Sequence, residues 1–164
     1  ILFALHLATY SVPSLKNATL ATSAALAILV ALLALAQHIV VFPVAATLPA
    51  PGWARLSAYV WLIGDMVSDL MQAGGVDVSR YLTLRLIVNV LAAVWLMGAS
   101  WRAPLAMRII GIFVSVSLVS YSLTAPFDTR AFILTLPSVV LLPIWFVLAG
   151  RLLDTSSAAS PAQG

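Results

Sequence analysis

The stretch Gly64-Asp65-Met66-Val67-Ser68-Asp69-Leu70-Met71-Gln72-Ala73-Gly74-Gly75-Val76-Asp77-Val78-Ser79-Arg80-Tyr81-Leu82-Thr83-Leu84-Arg85-Leu86-Ile87-Val88-Asn89 decides how this chain folds. Its centre, Gly74-Gly75 followed by Asp77, is turn chemistry between two apolar segments. Asp65 and Asp69 are four residues apart on the first segment, and Arg85 and Asn89 four apart on the second. Each pair therefore lies on one face of a helix. Folding the segments back to back about Val76 brings residues whose numbers add to about 154 to one depth. Asp69 then faces Arg85, and Asp65 faces Asn89.

Outward from this hairpin the composition is that of a membrane protein. Of 164 residues, 63% are hydrophobic and 8% charged, and the mean hydropathy is +1.11. A soluble domain needs far more charge to cover its surface, so the chain reads as a polytopic, all-α transmembrane bundle. The net charge of +3 is spread over turns without a basic run, which gives topology signals and no nucleic-acid interface. The absence of cysteine excludes disulfides and thiolate-bound clusters.

In chain order, residues 1–11 are apolar but too few to span a hydrocarbon core, which takes about 20 residues. With no starting Met or basic leader, they read as a start inside a helix and not as a signal peptide. Ser11 to Ser14 break this piece, and Lys16-Asn17 mark an interface. A long apolar run from Ala18 to Thr47 follows, bent or ended near Pro43. Ala24, Ala27, Ala31, Ala34 and His38 form a smooth stripe on it, suited to close helix packing. Further spans read as 53–73, 80–99, 104–124 and 130–153, the last kinked at Pro137 and Pro143. The expectation is five full spans plus the partial N-terminal helix, six in all, as a single domain over 1–153. A polar tail, 154–164, is expected to be disordered.

Alternating spans place Arg55, Arg102, Arg108 and Arg151 on one side, and Lys16, Arg80 and Arg130 on the other. The first side is the more basic, which favours a cytoplasmic C terminus in a bacterial inner or plasma membrane. Trp53, Trp101 and, somewhat deeper, Trp95 and Trp145 read as an interfacial belt on that same side, with Tyr10, Tyr81 and Tyr121 toward the other.

Asp65, Ser68, Asp69 and Gln72 follow helical spacing, so one face of the 53–73 helix is polar through the half nearer the Gly74-Gly75 turn. Arg85 and Asn89 continue that patch. Ser117, Ser120, Tyr121, Ser122, Thr124, Thr135, Ser138, Thr19, Thr22 and Ser23 fall at similar depth, predicting a polar crevice in one leaflet. Two carboxylates beside one guanidinium cannot both be ionised comfortably in a low dielectric; one, Asp65, is expected to hold a proton while Asp69 pairs with Arg85, and the two should titrate as a unit. Asp65, Asp69, Arg85, Asn89, Ser68, Gln72 and Tyr121 are thus the candidate site for a small ligand, proton or cation. An Asp–Arg pair between helices also serves simply to fix their register.

His6 and His38 invite a haem or pigment reading, since imidazole is the usual axial ligand. Counted from the break near Ser14 they fall at different depths, which argues against a shared haem; His38 alone remains a candidate for a pigment, haem or quinone. The run Ala54-Arg55 to Gly64-Asp65 and Asp69 resembles the metal signature of CDP-alcohol phosphotransferases, but Ala50-Pro51-Gly52 stand where that family carries two further aspartates. Half the metal ligands are missing, and no metal site is expected. Lys16, the only lysine, sits at a turn, which excludes a retinal Schiff base within the bundle.

Met107-Arg108-Ile109-Ile110-Gly111-Ile112, a span with Tyr121, and Leu142-Pro143-Ile144-Trp145-Phe146-Val147-Leu148-Ala149-Gly150 resemble the last two spans of an uncharacterised bacterial family of multi-pass membrane proteins. The resemblance covers about the last 50 residues and implies a membrane-embedded bundle without transferring a catalytic residue.

Short loops leave little room for an extramembrane active site, so a non-enzymatic protein with an intramembrane polar site is the expected function. The alternative is an accessory subunit of a larger membrane complex, packing through its alanine stripe. Lipid is the expected partner in either case, with other membrane subunits or a second copy of the chain as further candidates.

Overall fold

The computed structural model describes the backbone of residues 24–158 and the side chains of 31–154. The partial helix expected over 1–11, His6, Thr19, Thr22, Ser23 and the end of the polar tail lie outside these residues. The described elements are all helical: α1 (Ala24–Thr47), α2 (Gly52–Ala73), α3 (Val78–Ser100), α4 (Leu105–Thr124), a 3₁₀ segment (Thr129–Thr135) and α5 (Leu136–Ala158). Each helix packs on its neighbour in sequence, and α1 also touches α5. Three stretches, Val78–Ser100, Leu105–Thr124 and Thr129–Asp154, are long and apolar enough to cross a membrane. Helix α2, which carries Arg55, Asp65 and Asp69, is not among them.

The surface is apolar and part of the interior is polar. Ile39, Leu56, Ile87, Phe113 and Val147 are each more than half exposed, whereas Ser68, Asp69, Ser100 and Ser138 are fully buried. That inversion is compatible with an integral membrane protein, because lipid rewards an apolar exterior and leaves polar groups to find each other inside.

The α2–α3 turn forms as the glycines direct. Val76 N–H bonds the Met71 carbonyl at 2.9 Å and Gly75 N–H bonds Gln72 at 3.1 Å. Gly75 takes a φ of +71°, the left-handed conformation that closes a helix in this way and suits glycine. Asp77 then caps α3, accepting from the Ser79 N–H at 2.8 Å and from the Ser79 hydroxyl. These two bonds, the hydroxyl's first, hold the Asp77 carboxyl below its ordinary value of 3.8. A depressed folded-state pKa adds stability above the unfolded value, and that gain disappears as pH falls through the folded value. The difference in melting temperature between wild type and Asp77→Ala in mild detergent is therefore expected to be steady well above pH 3.8 and to shrink as pH falls below it.

From this turn α2 and α3 run antiparallel in close contact. A Cβ on Gly64 would run into a Val88 methyl, and one on Gly98 would lie 2.5 Å from the Ala54 Cβ. Two glycines, one on each helix, thus set the approach.

The final span departs from the expected single kinked helix. Seven residues form the 3₁₀ segment, and α5 begins only at Leu136. Pro137 sits in its first turn, where a missing N–H costs least. In the 3₁₀ pattern the Leu134 carbonyl would be paired with residue 137, which has no N–H; the Ser117 hydroxyl of α4 donates to that carbonyl instead. Helix α1 continues through Pro43 to Thr47 without ending there, and α5 runs to Ala158, past the boundary expected at 153.

The tryptophans divide. Trp53 and Trp101 are 59% and 63% exposed, as interfacial anchors should be, but Trp95 and Trp145 are fully buried. The reading of all four as a belt is corrected: Trp95 stacks on Trp61 at 5.4 Å and meets Trp145 edge-on at 5.3 Å. The Trp145 indole N–H donates to Ser100 Oγ at 2.9 Å. These rings fill the centre of the bundle, and their polar edge finds a partner there.

Candidate functional site

Next to this aromatic core, three helices contribute to one buried cluster of ionisable groups. From α2 come Asp65, Ser68 and Asp69, spaced so that all three face inward. From α3 comes Arg85, whose guanidinium forms an ion pair with Asp69 Oδ1. Arg85 Nη2 and Nε also donate to Ser68 Oγ, at 2.9 and 3.2 Å, and Nε lies 3.6 Å from Asp65 Oδ1. The Ser68 hydroxyl donates its own hydrogen to the Asp65 carbonyl at 2.8 Å. It is therefore a junction that accepts from the arginine while tying down the turn of α2 between the two carboxylates.

From α1 comes His38, which is 2% exposed. Its Nδ1 lies 2.7 Å from the Ala34 carbonyl, and its Nε2 lies 3.0 Å from Asp65 Oδ2. A carbonyl only accepts, so Nδ1 carries a hydrogen. The contact between Nε2 and the carboxylate then needs one further proton, on the ring or on the acid. Asp69 Oδ2 stands 3.8 Å from Nδ1 and has no hydrogen-bond donor among the described residues. The edge of the His38 ring packs on Trp61, with ring centres 6.3 Å apart.

Charge can now be counted. The Asp69–Arg85 pair is neutral. The His38–Asp65 pair is neutral when it holds its proton, whichever partner carries it, and has one negative charge when it does not. Burial disfavours net charge, and the cluster is electroneutral only with one proton on that pair.

The predicted residues divide accordingly. Asp65, Asp69, Ser68 and Arg85 come together at the depth expected of the hairpin. Asn89 is half-buried, and among the described residues no hydrogen bond joins it to Asp65; His38 takes that place. Gln72 is half-buried with its Oε1 lacking a donor among the described residues. Tyr121, on α4, lies within electrostatic reach of Arg85. His38, read as a candidate axial ligand, has both ring nitrogens committed, so no lone pair is presented to a pigment or haem. No group of three or more His, Cys, Asp or Glu among the described residues is arranged to hold a metal ion.

Two of the hydroxyls expected to line a crevice bond backbone carbonyls, and a third bonds one of those two. Thr135 bonds Phe132 at 2.7 Å, Ser117 bonds Leu134, and Ser138 bonds Ser117 Oγ at 3.4 Å. Ser122 is buried with no partner for its hydroxyl among the described residues.

The role of His38 had a signal in the sequence. Folding α1 against α2 about the Leu48–Pro51 loop pairs residues whose numbers add to about 99, which puts His38 level with Trp61 and one helical turn from Asp65. Counting His38 only against His6 hides that match. No family model, curated protein or solved structure matches the chain.

Proposed function

We propose that the protein is a non-enzymatic integral membrane protein whose His38–Asp65–Asp69–Arg85 cluster handles a proton, or a monovalent cation that replaces it. The observation that carries this reading is the His38 Nε2 contact with Asp65 Oδ2 at 3.0 Å, made by a ring whose other nitrogen already donates. A purely structural ion pair needs only Asp69 and Arg85. The second acid and the histidine add one removable positive charge inside apolar helices, where ionisable groups are costly and belong to ion or proton routes. Loss of the proton leaves one negative charge, which a cation of single charge would balance.

In this reading α1 to α5 are five membrane spans, with a further partial helix at the N terminus, in a bacterial inner or plasma membrane. The side carrying Arg55, Arg102, Arg108 and Arg151 is cytoplasmic, and the C terminus with it. The rival role, an accessory subunit docked through the alanine stripe, gains less support. Ala31 and Ala34 are buried within the chain's own bundle, on the face that presents His38.

Reconstitution into liposomes holding a pH-sensitive dye tests the proposal. Wild-type protein is expected to dissipate an imposed pH gradient, with or without a counter-cation. Asp65→Asn, which keeps the shape of the side chain, is expected to insert and fold but to lose the flux. Infrared difference spectra across a pH step should show a carboxyl signal in wild type and none in this variant. Equal flux and equal spectra in the two proteins would overturn the proposal.

A further inference from the structure

At the opposite end of α2 from the Gly74-Gly75 turn, a groove of about 660 Å³ lies between the loop before α2 and the turn joining α3 to α4. Pro49 and Pro51 stiffen one wall, and Trp53 and Trp101 form its exposed rims. Gly98 forms its floor, where an added Cβ would lie 3.2 Å from the Trp53 ring. Arg55 and Arg102 stand on its margin, and no acidic side chain among the described residues lines it. One Arg55 nitrogen, Nη2, holds the Ala50 carbonyl at 3.2 Å, which fixes the side chain against the loop. Its Nε is buried without a hydrogen-bond partner among the described residues.

The position and chemistry of this groove agree. Exposed tryptophans at the ends of apolar helices mark the headgroup level of a bilayer. The N terminus of α2 opens beside the groove with no side-chain cap, adding its own partial positive charge. A cleft with arginines at its mouth and apolar walls leading inward matches an amphiphile with an anionic head, and guanidinium is the side chain best shaped for phosphate.

We infer that this groove is a binding site for an anionic phospholipid, with the headgroup phosphate held by Arg55 and Arg102 and an acyl chain laid along Trp53 and Gly98. The site is separate from the proton cluster and rests only on the membrane placement of the helices proposed above. The lipid occupies the leaflet facing the more basic side of the protein.

Brominated lipids test this directly, because the groove is lined by the two exposed tryptophans while Trp61, Trp95 and Trp145 are shielded in the core. Protein is reconstituted in vesicles mixing phosphatidylcholine with chain-brominated phosphatidylglycerol, and separately with brominated phosphatidylcholine. Wild type is expected to be quenched preferentially by the anionic lipid, with a relative affinity of roughly fivefold for each arginine engaged. Arg55→Gln/Arg102→Gln is expected to lose the preference, and Arg55→Lys/Arg102→Lys to retain much of it. Arg108→Gln, on the same side but outside the groove, is expected to retain it fully. Equal quenching by both lipids in wild type overturns the site. So does an equal loss in Arg108→Gln, which would indicate diffuse surface attraction. Abolition of the preference by millimolar inorganic phosphate overturns the lipid as occupant and assigns the arginines to a free anion. Should the glutamine variant fail to fold, the lysine variant and the wild-type comparison still decide.

Discussion

Arg85→Gln is expected to destabilise the folded protein by roughly 3 to 5 kcal/mol, the largest loss from any single charge among the described residues. Among the described residues Arg85 is the sole cation other than protonated His38 against two carboxylates, and it reaches Asp69, Ser68 and Asp65 together. Without it Asp69 is fully buried with an uncompensated charge, and its Oδ2 already lacks a hydrogen-bond donor among the described residues. Glutamine keeps some hydrogen bonding to Ser68 but supplies no charge. Adding Asp69→Asn is expected to recover at least half of the loss, because a neutral pair has no charge to leave stranded. Denaturation in mild detergent, across wild type, both single variants and the double, reads the coupling as a cycle. Additive losses would show that the two side chains do not act as a pair. The same series separates stability from function, since the proposed proton chemistry resides in His38 and Asp65 while this prediction concerns the other half of the cluster.

That division also explains what was legible in the sequence. The hairpin was readable because its two helices meet at a turn of almost no length, so depth follows from counting residues. Asp69 and Arg85 are found this way because nothing intervenes. Asn89 was assigned to Asp65 by the same count, but a depth match fixes level and not azimuth. Helix α1 supplied His38 from the side that two helices leave open. Counting across the 48–51 loop brings His38 within one turn of Asp65, whereas no count gives the angle at which α1 lies on α2.

The central tryptophans show a different limit. Trp53, Trp95, Trp101 and Trp145 share one half of the sequence-derived bundle, and tryptophan at that depth suits the interface. Which ones turn inward depends on helix rotation, and rotation is set by small residues where helices touch. Ser100 and Gly111 are those residues for Trp145, but in sequence they look like ordinary members of apolar spans. The 3₁₀ segment was similarly hidden: Pro137 announced a break, while the partner of the freed carbonyl, Ser117, lies on another helix.

Gly111→Ala is expected to cost about 3 kcal/mol, although the change adds one methyl to a helix and alanine is the better helix former. Gly111 lies where α4 crosses both α3 and α5. A Cβ there would collide with the Ser100 side chain and come within 2.8 Å of Trp145 Nε1. Neither neighbour has room to yield. Ser100 is fully buried and accepts the Trp145 hydrogen bond at 2.9 Å, and Trp145 is wedged against Trp95 and Phe146 with ring centres 5.3 Å from each. Relief requires the helices to separate, which would loosen the aromatic core beside the charged cluster. Gly150→Ala is the matched control, since a Cβ at Gly150 meets nothing within 4 Å. There the same substitution is expected to be neutral or to stabilise by up to about 1 kcal/mol through helix propensity. Removing the obstructing side chain with Ser100→Gly in the Gly111→Ala background should restore part of the loss, despite removing the acceptor of the Trp145 N–H. Melting temperatures in detergent and the Trp emission maximum report the two effects together. A Gly111→Ala protein as stable as Gly150→Ala would show that the three helices do not meet as closely as the side chains at this crossing require.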